Sequence, residues 1–247
     1  MNDTVEILKI NINNISYKSA VSAISKQSIK RKSGFVCFAN AHMAVEALNN
    51  VELEKSLKKS QMIFADGFPI AKSMKLIYSL DQERIAGMDF FAEMLKICDK
   101  LQLRIYLFGS TEEVIKRAME NISKEFPNLV IAGSISPPFG ENWTNDEYIR
   151  IINKSKPNLV FVSLGCPKQE IWMAKHYQKI YAPLLGIGGA LPVSAGIFKR
   201  APLLIRRLGF EWLFRLFQEP RRLFKRYLYT NTMFVYHVLK EWWSKQL

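Results

Sequence analysis

Apolar residues along the chain fall into short unbroken runs, separated by longer stretches with helical spacing. The runs are EILKINI, GFVCFAN, MIFADG, RIYLFGS, LVIAGSI, NLVFVSLG and PLLGIGG. They are rich in Val, Ile and Phe and predict strands. Between them, residues 17–31, 42–60, 68–79, 89–101, 111–125, 145–155 and 168–180 carry amphipathic patterns and predict helices. Strand–helix alternation predicts an α/β fold with a mostly parallel sheet and helices on both faces. Continuous rather than alternating apolar strands fit burial on both sides.

The rhythm stops after Gly196. The remainder, RAPLLIRRLGFEWLFRLFQEPRRLFKRYLYTNTMFVYHVLKEWWSKQL, has no strand pattern. It predicts two or three amphipathic helices punctuated by Gly209 and Pro220, because proline suits a first helical position and not a helix interior. Leu223, Tyr227, Phe234, Val238 and Trp242 share one face of the last helix. The expected division is a catalytic domain over 1–196 and a basic helical appendage over 197–247.

Charge sharpens that division. The net charge is +13, of which residues 197–247 hold +8. So basic a tail suggests a polyanionic partner: a membrane surface, a lipid phosphate or a nucleic acid. No RRM, KH or helix-turn-helix signature accompanies it, so a nucleic-acid partner is not expected. The tail's aromatic and leucine face either packs on the core or enters a headgroup boundary, with its arginines meeting anionic lipid; the clustered charge favours the membrane. There is no signal-peptide pattern and no run of about 18 apolar residues, so no spanning helix is expected. Cys37, Cys98 and Cys166 are odd in number and lack CxxC or zinc spacing, which fits a reduced, cytosolic compartment.

Several strand runs end in small or polar residues: Asn40, Asp66 with Gly67, Gly109 with Ser110, Gly165, and Gly188 with Gly189. In a parallel sheet these ends share one edge, where open α/β folds bind ligands. In VSLGCPKQEIW, Gly165 lets the backbone turn and Pro167 suits a helix start. The free amides, Lys168 and Gln169 then suit a phosphate or a nucleotide sugar, or simply a good helix start. GIGGALPV is not GxGxxG, because position 191 is leucine, and a nicotinamide-dependent oxidoreductase is disfavoured accordingly. Asp66 suits a general base, a ribose ligand or a helix cap. His42 suits catalysis less well than capping or packing. Arg84 and Asp89 suit a phosphate or hydroxyl, or Asp89 caps the following helix. No D-x-D pair exists, so charge on a leaving diphosphate would be met by helix ends and Arg/Lys.

FADGFPIAKSMKLI, ERIAGMDFF, LFGS, VSLGCPKQEIW, GIGGALPVSAG and RAPLLIRRLGFEWLFRLFQEPRRLFKRYL together resemble the WecG/TagA/CpsF family of bacterial glycosyltransferases, in order from about residue 35 to 228. The resemblance implies a Rossmann-like domain whose C-terminal helical appendage meets the membrane and completes the site. It implies inverting, metal-independent transfer of a hexose or N-acetylhexosamine, of the N-acetylmannosamine type, from a UDP-sugar to a sugar on undecaprenyl diphosphate. The enzyme would need no cofactor and would lie peripherally on the cytoplasmic face of the membrane, in cell-surface polysaccharide synthesis. Asp66 would be the general base, with Asn40 in the same pocket and Gln169 on the nucleotide sugar. Gly109, Ser110, Gly165, Lys168, Gly188 and Gly189 would lie along the donor. Arg84, Asp89, Arg215, Arg222, Lys225 and Arg226 would face acceptor and diphosphate. Phe38 stands where members often have threonine, and Pro192 where many have an aspartate that helps recognise uracil, so base recognition must come from elsewhere. A glucose-type donor for capsule or exopolysaccharide, a non-catalytic accessory subunit and a homo-oligomer are the remaining alternatives.

Overall fold

The computed structural model describes residues 4–138 and 146–246. The first expected strand is instead a small antiparallel hairpin, β1 (Thr4–Ile7) with β2 (Ile10–Asn13). Leu8 and Lys9 both take positive φ, the geometry of a two-residue hairpin turn. The apolar run EILKINI hides the turn because its ends, Ile7, Ile10 and Ile12, are all buried.

The main sheet has six strands: β3 (Gly34–Ala39), β4 (Met62–Ala65), β5 (Arg104–Gly109), β6 (Val130–Ile135), β7 (Leu159–Ser163) and β8 (Pro183–Gly186). Their order is β4-β3-β8-β7-β5-β6, and every pairing is parallel. Alternate residues serve two separate cores. Phe35, Cys37 and Ala39 face one side with Phe108, Val160 and Trp172; Val36 and Phe38 face the other with Leu107, Phe161 and Phe91. This is the two-sided burial that the unbroken apolar strands predict.

Helices close both faces. On one lie α1 (Tyr17–Ile29), α5 (Gly87–Lys100), α6 (Glu112–Glu125) and α9 (Ala190–Ser194). On the other lie α2 (Ala41–Asn49), α3 (Val51–Leu57), α4 (Phe68–Tyr78), α7 (Asp146–Lys154) and α8 (Lys168–His176). The expected helix 42–60 is two helices. Asn50 breaks it, and its Oδ1 accepts from the Leu53 amide at 3.0 Å to cap the second piece. The expected helix 168–180 ends at His176 and passes into a 3-10 turn over Tyr177–Lys179. Position 145, the expected start of the helix before β7, lies outside the described residues.

Beyond Gly196 come three helices: α10 (Leu203–Arg207), α11 (Glu211–Gln218) and α12 (Pro220–Ser244). Gly209, at φ +82°, turns the chain between the first two, and Pro220 opens the third. The long helix lies along the body. Phe234 and Val238 join the core beside α2, and Glu241 accepts from the Leu8 amide of the hairpin at 3.2 Å. The face expected to enter a headgroup layer therefore faces inward: Leu223, Phe234 and Val238 are buried. The exposed side of the appendage carries apolar residues as well, with Phe217 77%, Leu228 63% and Trp243 65% exposed, among exposed cations such as Arg221, Lys225 and Lys240. No helix among the described residues is long and apolar enough to cross a membrane.

Candidate active site

The C-terminal ends of β4, β3, β8 and β7 lie side by side, and the appendage covers them. Between the two is a cleft of about 820 Å³. The strand ends supply Asn40, Asp66, Ser163, Gly165 and the 186–190 turn; α4 supplies Phe68, Lys72 and Leu76; α11 and α12 form the roof.

Asp66 follows β4, its amide donating to the Ala39 carbonyl at 2.9 Å, which ties the ends of β3 and β4 together. Its Oδ1 accepts from the Gly87 amide at 2.7 Å, the first residue of α5. One oxygen thus receives a helix-end amide while the residue lines the cleft. Burial pushes the carboxyl up to about 6; the Gly87 amide opposes this, Glu211 adds to it, and Arg84 and an Asn40 hydrogen bond lower it. Asn40 caps α2, with Oδ1 accepting from the Met43 amide at 3.1 Å. Its amide nitrogen is then the end left for Asp66. A carboxylate poised near neutrality, oriented by an amide and facing a cleft, is equipped to accept a proton from a hydroxyl.

The other expected residues divide. Ser110, Gly165, Gln169, Gly188, Gly189, Arg84, Arg215, Arg222 and Arg226 line the cleft. Gly109, Lys168, Asp89 and Lys225 do not. Gly109 has a packing role instead: at φ +103°, a Cβ there would stand 2.6 Å from the Ser163 carbonyl oxygen. Lys168 and Lys225 are exposed on the outer sides of their helices. Asp89 pairs with Arg84 at 3.6 Å, with Arg206 at 2.9 Å and with Arg200, so it ties the appendage to α5. Arg84 bridges onward to Glu211 at 2.9 Å and lies over the Phe68 ring.

The cations of the roof stand differently. Arg222 is held by both oxygens of Glu219 at 2.6 Å. Arg215 packs its guanidinium on Gly189, where a Cβ would come within 2.6 Å of Nη2. Arg226 leaves Nε buried without a partner among the described residues. Its charge, after burial, lowers the His42 imidazole, which is thus neutral near pH 7.

Sequence reasoning missed Lys72, Leu76, Glu211, Trp212, Asn231 and the apolar stretch of α12 in the cleft. Phe68, Lys72 and Leu76 sit four residues apart on α4, a helical stripe that marks them as co-facial. Nothing in the chain says that this stripe meets α12. Along α12 the cleft meets Arg222 and Arg226, then Thr230 and Asn231, then Phe234, Val235, Val238 and Leu239. From Arg226 to Leu239 this is about 20 Å of helix, cationic at one end and hydrocarbon at the other.

Comparison with known proteins agrees with the geometry. The family described as "Glycosyl transferase WecG/TagA/CpsF family" matches residues 5–247. Two Bacillus proteins, each named N-acetylglucosaminyldiphosphoundecaprenol N-acetyl-beta-D-mannosaminyltransferase, are similar. That of Bacillus subtilis is 34% identical across 93% of this chain and 91% of its own. That of Bacillus spizizenii is 34% identical across 78% of this chain and 74% of its own. A Staphylococcus aureus protein of the same name is 28% identical across 96% of this chain and 92% of its own. A six-stranded parallel sheet with an acid at its ligand edge, roofed by a basic helical tail, thus belongs to a glycosyltransferase: the chain is a member of the WecG/TagA/CpsF family.

Proposed function

We propose that this enzyme transfers a hexose or N-acetylhexosamine, of the N-acetylmannosamine type, from a UDP-sugar to a sugar carried on undecaprenyl diphosphate, with inversion and without a metal ion. The observation that carries this reading is the polarity of the cleft. An amphiphile with a sugar, a diphosphate and an isoprenoid chain needs a polar reacting end, then cations, then hydrocarbon. Asp66, the cations Arg222, Arg226 and Lys72, and the apolar Leu76, Val235 and Leu239 all line the cleft, and along α12 the cations precede the hydrocarbon.

In this reading the donor lies across the strand ends, near Gly165, Gln169 and the Gly188–Gly189 turn. Asp66 takes the proton of the acceptor hydroxyl. The oxygen attacks the anomeric carbon from the face opposite UDP, the carbon–phosphate oxygen bond breaks, and UDP leaves with the electron pair. Arg215 faces the charge that develops on the leaving diphosphate. The relatives' names give the acceptor as N-acetylglucosaminyldiphosphoundecaprenol and the sugar as N-acetylmannosamine.

The donor sugar is the part with a second reading. Phe38 lies on the cleft wall, packed on Phe64 and Phe90, and Pro192 lines the cleft too. A phenyl ring offers no hydrogen bond to an acetamido group or a hydroxyl, so a hexose of the glucose type stands as the second reading beside the N-acetylmannosamine type. Screening UDP-sugars against undecaprenyl-diphosphate N-acetylglucosamine, with product mass and linkage as readout, decides between them. Product formation that persists in excess chelator is expected. No transfer from any UDP-sugar, or transfer abolished by chelation, contradicts the reading.

The appendage would seat the enzyme on the cytoplasmic face of the membrane, with the exposed apolar side of α11 and α12 against lipid and the surplus positive charge against anionic headgroups.

A further inference from the structure

Glu170 follows Gln169 at the start of α8 and is fully buried, yet it pairs with no cation among the described residues. Buried carboxylates without a charged partner are rare, because desolvation penalises them. Its Oε1 accepts from Gln169 Nε2 at 2.7 Å, and the same nitrogen lies 3.4 Å from the Gly186 carbonyl oxygen. Both neighbours of Nε2 are acceptors. Turning the carboxamide over would set oxygen against oxygen. Gln169 Oε1 is therefore held on the opposite side, by the Gly188 turn, where a Cβ would stand 3.5 Å from it. That oxygen is buried and has no partner among the described residues. The gap it occupies needs glycine at position 186: a Cβ on Gly186 would come within 3.2 Å of Gln169 Nε2 and 2.7 Å of Met173 Cε.

We propose that Glu170 is a positioning residue that fixes the Gln169 carboxamide with its oxygen toward the ligand. Position 169 then reads a hydroxyl or N–H of the bound sugar nucleotide, not a phosphate oxygen. An acceptor without a partner in the protein gains a hydrogen bond when such a donor reaches it. The identity of the ligand rests on the transferase reading above; the orientation of the amide does not. Burial pushes Glu170 up to about 7, against hydrogen bonds with Gln169, its own backbone amide and the Cys166 thiol, which lower it; Cys166 and Cys37 also interact with it electrostatically, and burial pushes both thiols well up. A protonated carboxyl is also a donor and can hold the amide either way, so the fixing weakens as pH falls through about 7.

The test has two arms. In the first, the side-chain amide resonances of Gln169, assigned with Gln169→Ala, are followed from pH 5 to 9. They are expected to move with a midpoint near 7 and to stay still in Glu170→Gln. Resonances that ignore pH, or that move identically in Glu170→Gln, overturn the proposal. This arm needs no turnover, so its outcome is separate from that of the transferase reading. In the second, kcat/KM for the UDP-sugar is measured for Glu170→Leu in wild-type and Gln169→Ala backgrounds. The loss expected in the wild-type background is on the order of tenfold, with none added in Gln169→Ala. Equal losses in both backgrounds would show that Glu170 acts independently of Gln169. Glu170→Gln keeps the volume but, like the protonated acid, offers a donor as well as an acceptor, so it is expected to show part of that loss in the wild-type background and none in Gln169→Ala; wild-type kcat/KM in it would overturn the proposal even if the leucine variant folds poorly.

Discussion

At the scale of single residues, two glycines that look alike in the sequence do different work. Gly109 is in the left-handed region with a carbonyl oxygen where its Cβ would be. Gly109→Ala should destabilise the fold by about 2 kcal/mol or more, seen as a lower Tm, before any effect on binding. Gly189 has ordinary φ, and the atoms nearest to its Cβ would be the guanidinium tip of the long Arg215 side chain. Gly189→Ala should leave Tm nearly unchanged and raise KM for the UDP-sugar on the order of tenfold, because the guanidinium must move. An unchanged KM would remove Arg215 from the donor site. Asp66 has its own signature in stability. Its carboxyl is raised in the folded state, so its contribution to stability is present below the unfolded value near 3.8 and is lost as pH rises through about 6. Replacing it by asparagine should therefore raise Tm relative to wild type at pH 8 more than at pH 4. Strand-end acids and glycines could be picked out from the chain because a parallel sheet gathers them at one edge. Which of them faces ligand could not, because that depends on the side of each turn that the neighbouring strand leaves open.

At the scale of elements, the appendage is tied down by charge as much as by packing. Asp89 gathers Arg84, Arg200 and Arg206, and Glu211 takes the other side of Arg84. Asp89→Ala would leave these cations unbalanced. Faster amide exchange is expected over 198–218, with exchange in β3, β7 and β8 unchanged; uniform exchange across both would contradict the tie. The helices of the appendage and their breaks at Gly209 and Pro220 were legible, since proline and glycine punctuate helices for local reasons. The inward face of α12 was legible only as a stripe. Both sides of α12 carry apolar residues, and the sequence does not say which meets α2. The hairpin at the N-terminus and the break at Asn50 were hidden for a similar reason: apolar spacing continued across both, and only the turn geometry interrupts it.

At the scale of the whole molecule, a body of net charge +5 carries a roof of net charge +8 whose outer surface mixes cations with exposed aromatic and leucine side chains. Phe217, Phe224, Leu228, Tyr236 and Trp243 are each more than half exposed. Vesicles containing anionic lipid should float the full chain, and float poorly a variant with Phe217, Leu228 and Trp243 changed to serine; equal flotation would place the membrane contact elsewhere. The roof and the body meet over the cleft, so the central claim is about what happens there: a carboxylate at position 66 removes a proton from a lipid-linked acceptor. The most direct test is kcat/KM with undecaprenyl-diphosphate N-acetylglucosamine from pH 5 to 8, for wild type and Asp66→Asn. Wild-type activity should climb with pH through about 6, where this carboxyl ionises. The asparagine variant should lose about 10²–10⁴-fold and lose that climb, while keeping its fold. An asparagine variant with near-normal rates and the same rise with pH would contradict the account.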